Sequence, residues 1–127
     1  MNKKSHYIYC VVHDDAYRRS LVRLLKSAGY SAESYPSAQS FLEAVPVAHE
    51  TGVLILDLRM PGMDGFALQK RMNELASNLK TVIITGDAQP GDRDLAIKAG
   101  AIGFLQKPFE EEFLLELIRP AIPPPSH

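Results

Sequence analysis

Five side chains of this 127-residue sequence stand where chemistry is plausible: Asp14, Asp15, Asp57, Thr85 and Lys107. Asp57 closes the apolar run VLILD, at the point where the stretch LDLRMPGMDG leaves the core through Pro61, Gly62 and Gly65. Asp14 and Asp15 follow YIYCVV, Thr85 ends TVIIT, and Lys107 with Pro108 follows GFLQ. Neighbouring carboxylates repel and raise one another's pKa unless a cation neutralises them. A few carboxylates with no softer ligand suit Mg²⁺, which keeps several waters and takes phosphate oxygens. A hydroxyl and an ammonium opposite would hold the remaining oxygens of a phosphoryl group.

Such a gathering needs a scaffold that brings strand ends together. Short apolar runs alternate with amphipathic segments throughout. Strands are predicted at Tyr7–Val12, Tyr30–Tyr35, Val53–Asp57, Thr81–Thr85 and Ala101–Gln106. Helical spacing appears at Leu21, Leu24, Leu25 and Ala28, stopping at Gly29, and at Ala38, Phe41, Leu42 and Val45 behind the cap candidate Ser37. It returns at Leu68, Met72 and Leu75, entered through Asp64, and over Leu95–Ala99 before Gly100. A last helix carries Phe113, Leu114, Leu117 and Ile118, and Pro120 is expected to terminate it. Five strand–helix units in strict alternation predict an α/β open parallel sheet with helices on both faces. Five units commonly take the order 2-1-3-4-5, which sets the first and third strands side by side where ligands bind.

Composition sets outer limits. Hydrophobic residues are 46% and charged residues 23%, ordinary for a globular chain, and the formal net charge of −1 advertises no nucleic-acid or anionic membrane surface. The apolar runs are far shorter than a membrane span, and MNKKSHY lacks the apolar stretch of a signal peptide. The single cysteine, Cys10, excludes an internal disulfide and fits a reducing compartment, so a cytoplasmic location is expected. The ending AIPPPSH reads as a Pro-rich tail or linker over 120–127, behind one domain over 1–119.

The motifs LDLRMPGMDG, VIITG and AGAIGFLQKPF, at these intervals, resemble the receiver domain of bacterial two-component response regulators over residues 7 to 119. SAGYSAESYPSAQSFL and ITGDAQPGDRDLAIKAGA resemble in particular receivers that precede a C-terminal helix-turn-helix DNA-binding domain. The resemblance implies a flavodoxin-like fold and a phosphorylation-controlled switch that is not a turnover enzyme. It makes Asp57 the phosphoacceptor for a phosphohistidine on a sensor histidine kinase. Asp14, Asp57 and the backbone carbonyl of Arg59 would bind Mg²⁺. Lys107 would pair with the phosphoryl oxygens through a strand end whose Lys107–Pro108 peptide is cis, and Thr85 would swing in behind it. Phe104 is either plain core or the residue that changes rotamer with Thr85. The implied readout face is the fourth helix, fifth strand and fifth helix. It would control an output domain or protein partner, with transcription as the expected output and a homodimer on phosphorylation.

One position departs from the family pattern, which has two adjacent acids after the first strand. In VVHDDAYRR, counting from Asp57 gives His13 and Asp14, whereas counting back from Arg18–Arg19 gives Val12 and His13. The first register is preferred because a loop one residue shorter keeps Asp14 on the metal, with Asp15 partly substituting for the missing acid. His13 is then a spectator or a proton-sensitive neighbour of the metal, and Mg²⁺ binding is expected to weaken as His13 protonates.

Blander readings stand beside these. A lone strand-end Asp is ordinarily a solvated terminus or a helix cap, and Asp64 is expected to be a cap. Cys10 reads as a buried inert thiol, and His6, His49 and His127 show no metal-ligand spacing. The alternative function is a phosphorylation-independent interaction module on the same fold. An Asp-nucleophile phosphatase needs a second Asp where Arg59 stands, and a flavin carrier needs a Ser/Thr/Gly-rich loop where HDDAY stands.

Overall fold

A computed structural model describes residues 7–122. Strands β1 (Tyr7–Val11), β2 (Ser31–Tyr35), β3 (Val53–Asp57), β4 (Lys80–Thr85) and β5 (Gly103–Gln106) alternate with helices α1 (Asp15–Ser27), α2 (Ala38–Ala44), α3 (Gly65–Glu74), α4 (Asp92–Lys98) and α5 (Glu111–Ala121). All four strand pairings are parallel, in the order β2-β1-β3-β4-β5 expected as the common one for five such units.

The central strands are apolar throughout because both faces are covered. Tyr9, Val11, Leu54, Leu56, Ile83 and Phe104 pack against α2, α3 and α4 through Phe41, Leu68, Met72 and Ala96. Their neighbours Ile8, Cys10, Val53, Ile55, Val82 and Ile84 pack against α1 and α5 through Leu21, Leu25, Leu114 and Ile118. This strict alternation is the period of two that a pleated strand imposes. Burial pushes the Cys10 thiol up to about 12, which makes it an inert core group.

Local chemistry sets the helix ends. Ser37 caps α2 by accepting the Ser40 amide, and Asp64 caps α3 by accepting the Ala67 amide at 2.9 Å. At the end of α1, Tyr30 N–H bonds Leu25 O and Gly29 N–H bonds Lys26 O, a 6→1 and 5→2 pair that needs a left-handed residue. Gly29 supplies it at φ 97°. The end of α4 repeats the pattern with Gly100, and the end of α3 repeats it with Ala76, at φ 54°.

Two sequence expectations are corrected at the C-terminal end. Pro120 does not terminate α5 but lies inside its last turn, and the helix reaches Ala121. Proline's fixed φ is helical, only one hydrogen bond is lost at an exposed turn, and the buried Ile122 keeps the chain against the core. Helix α5 therefore runs two residues past 119, while residues 123–127, like His6 and His127, are outside the described residues. Phe113, read as part of the apolar stripe, is 53% exposed, and Leu115 takes its place in the core.

Candidate functional site

The site lies at the carboxyl ends of β1, β3, β4 and β5. Register pairs Val11 with Leu56, so the chain beyond β1 runs past the end of β3, where Asp57 is buried. The loop after Asp57 is clasped back onto the sheet: Leu58 N–H bonds Ile84 O at 2.9 Å and Gly65 N–H bonds Leu58 O at 2.8 Å. Gly65 packs so closely on Leu58 that a β-carbon would meet its Cα at 2.8 Å.

Asp57 is electrostatically tense. Burial raises its carboxyl pKa above the ordinary carboxylate range, and the Asp14 charge adds to the rise. The Lys107 ammonium, the Arg59 backbone N–H that bonds the carboxylate, and His13 act in the opposite direction. Lys107 Nζ stands 3.9 Å from Asp57 Oδ2. The Lys107 amide donates to Thr85 O at 2.7 Å, which fixes the end of β5 beside β4, and the Lys107–Pro108 peptide is cis.

Other sequence-named residues have partners of their own. Asp14 is the N-cap of α1, accepting the Tyr17 amide on Oδ1 at 2.8 Å, and Asp15 forms a 2.6 Å ion pair with Arg18. Arg18 also donates to Val12 O at 2.8 Å, so the short β1–α1 loop is folded around its guanidinium. His13 is exposed within that loop. The Thr85 hydroxyl is fully buried and accepts the Asp87 amide at 3.1 Å, turned into its own loop rather than bonded to Asp57. Phe104 is buried in the core layer under α4. Among the described residues no three His, Cys, Asp or Glu side chains converge as a metal cluster. Their oxygen donors suit a sparser site. Carboxylates such as Asp57 and the exposed Asp14 are the donor type of an ion that takes one or two carboxylates and keeps its waters.

The family of the response regulator receiver domain matches residues 8–119. The chain belongs to that family. Transcriptional regulatory protein FixJ of Bradyrhizobium diazoefficiens is 43% identical to this receiver over 125 residues, covering 96% of the chain and 58% of FixJ. Response regulator protein TodT of Pseudomonas putida is 39% identical over 122 residues, covering 96% and 53%. The receiver thus spans about half the length of these relatives. The crystal structure of FixJ-N is similar with a TM-score of 0.84 at 32% identity, covering 100% of this chain and 99% of that one. Among the described residues no helix of the receiver is long and apolar enough to cross a membrane.

Residue-by-residue reading missed Tyr17, whose ring lies under Lys107, and Asp92, which pairs with Arg59. A signal for Tyr17 was at hand, since a residue three past an N-cap sits on the same first turn. No local signal joins Arg59 to Asp92.

Proposed function

We propose that this receiver accepts a phosphoryl group on Asp57 from a phosphohistidine of a sensor histidine kinase, in a Mg²⁺-dependent reaction, and thereby controls an output, most directly transcription. The observation that carries the reading is the buried Asp57 carboxylate with an ammonium 3.9 Å away at the sheet's switch point. An Asp57 oxygen attacks phosphorus, the P–N bond breaks, and the electron pair returns to the imidazole. Mg²⁺, held by Asp57, Asp14 and the Arg59 carbonyl, supplies charge neutralisation when bound. Lys107 stabilises the transferred oxygens, and the clasp through Leu58 and Gly65 keeps Asp57 in place for in-line attack. Thr85 leaves the Asp87 amide to bond the phosphoryl group, and Phe104 repacks behind it. Such a chain is a cytoplasmic switch rather than a turnover enzyme.

The readout face is α4, β5 and α5. Its elements carry exposed large apolar side chains, Leu95 and Ile97 on either side of α4, Ile102 before β5 and Phe113 on α5. Exposed apolar side chains of this kind suit contact with a protein partner, an output domain or a second receiver. The names of FixJ and TodT support a transcriptional output. The test is uptake of label from a small acyl phosphate with Asp57→Asn as control, together with amide spectra after adding Mg²⁺ and beryllofluoride. Shifts at Thr85 and Phe104 are expected; a chain that takes no label from any donor overturns the reading.

A second reading, an interaction module that switches without phosphate, is favoured by the capping role of Asp14 and the Asp15–Arg18 pair. It requires very weak Mg²⁺ binding and partner binding that survives Asp57→Asn.

A further inference from the structure

The Lys107 ammonium has a second neighbour besides Asp57. It lies 4.5 Å from the centroid of the Tyr17 ring. The strand end fixes only the Lys107 backbone, through its amide bond to Thr85 O, and a flexible four-carbon stem separates that backbone from the charge. At 3.9 Å, Asp57 Oδ2 is beyond hydrogen-bond range, so the carboxylate by itself leaves the ammonium loosely placed. Tyr17 is better anchored. It sits on the first turn of α1, its amide is bound by Asp14, and its ring packs half-buried against the cluster formed with α5. Burial, and after it the Asp57 charge, pushes the Tyr17 hydroxyl up to about 12, so the ring stays neutral and presents an electron-rich face.

We infer that Tyr17 is a positioning residue for phosphotransfer: its ring face holds the Lys107 ammonium beside Asp57 before the phosphoryl group arrives. This rests on Asp57 being the phosphoacceptor. The interaction restricts the ammonium to the side of Asp57 that faces α1 and leaves its N–H groups for incoming oxygens. A structural role for the same ring would depend on its shape and volume. The positioning role depends on its π electrons, and that difference can be measured.

The test compares the whole chain with Tyr17→Phe, Tyr17→Leu and a chain carrying trifluorophenylalanine at position 17. Fluorination keeps the shape of Phe and weakens the cation-binding face. In the metal-free protein, the Hε protons of Lys107 should show a ring-current shift with Tyr or Phe at position 17 and lose it with Leu. Labelling of Asp57 by acetyl phosphate at saturating Mg²⁺ should stay within about twofold of wild type for Phe and fall about 5- to 30-fold for Leu and trifluorophenylalanine. Equal rates for Phe and trifluorophenylalanine overturn the inference, whether or not the Leu variant folds. So does a Phe variant as slow as Leu. If wild type is labelled and the series is flat, the positioning role alone falls; if wild type takes no label, the phosphoacceptor reading falls with it.

Discussion

The Arg59 guanidinium meets the Asp92 carboxylate at 2.6 Å, tying the loop that follows Asp57 to the first residue of α4. Asp92 is buried and also accepts the Gln89 amide at 2.8 Å, whereas Arg59 is partly exposed. The backbone of the same Arg59 bonds the Asp57 carboxylate, so one residue touches both Asp57 and α4. We predict a coupling of about 1–2 kcal/mol between Arg59→Ala and Asp92→Asn, the discounted value of a charged hydrogen bond with one exposed partner. A double-mutant cycle by urea unfolding measures it, and additive effects would show the pair to be energetically idle.

Asp57 should cost the fold stability at neutral pH. Its carboxyl holds a proton more firmly in the folded chain than in the unfolded one, chiefly because it is buried. Below the unfolded value, about pH 4, both states are protonated and nothing is lost. As pH rises the unfolded chain ionises first and stability falls, until the raised folded value has been passed and the deficit is constant. Asp57→Asn should therefore melt at a higher temperature than wild type at pH 7, the gap closing below about pH 4. It should also take no label. A gap that widens on acidification would contradict the sign of the shift.

Asp14 combines a cap with a charge, and two substitutions separate them. Asp14→Ala should lose about 1 kcal/mol through the missing cap, whereas Asp14→Asn keeps the capping oxygen and nearly all of the stability. Both should weaken Mg²⁺ binding by about 10- to 100-fold, the scale on which carboxylates around a metal act. Calorimetric Mg²⁺ titration beside thermal melts tests the split. Unchanged binding in both variants would remove Asp14 from the metal.

Ala76 occupies the left-handed position that ends α3, where Gly29 and Gly100 serve α1 and α4. Its β-carbon carries a steric cost there, and the residue is exposed. Ala76→Gly should raise stability by about 0.5–1 kcal/mol, read as a higher denaturant midpoint with an unchanged slope. A lower midpoint would mean that the added unfolded-state freedom outweighs the strain.

Gly65→Ala should do the opposite. The new methyl would meet backbone, Leu58 Cα at 2.8 Å and Asp57 O at 3.0 Å, which cannot swing aside. A loss of about 1–3 kcal/mol is expected, together with slower labelling because the clasp behind Asp57 is forced open. Full stability with unaltered labelling would show that the loop yields without moving Asp57.

Much of this was legible in local sequence. Val53–Asp57 is read to the residue, because four consecutive apolar positions in a short run have few other homes than a doubly covered parallel strand. Ser37 and Asp64 announce helix starts and Gly29 and Gly100 announce ends, since caps act within one turn. Pro120 misled because the rule that proline breaks helices applies to interiors, and this one lies in the last turn, followed by a buried Ile122. Phe113 misled because several apolar residues in one helix allow two faces, and only the contacts with the sheet choose between them.

By itself, then, the sequence determined the alternation of strands and helices and placed Asp57 and Thr85 at strand ends with Asp14 and Lys107 just beyond others, because period, caps and glycine signals are properties of a few adjacent residues. The strand order followed from the order that such five-unit sheets commonly take. Tertiary structure alone decided that Asp14 closes a helix, that Asp15 turns to Arg18, that Thr85 faces its own loop, that Tyr17 lies beneath Lys107 and that Arg59 reaches Asp92, 33 positions away. Such pairings depend on the register of the strands and the rotation of each helix about its axis. Those are fixed by packing of the whole core rather than by any one segment.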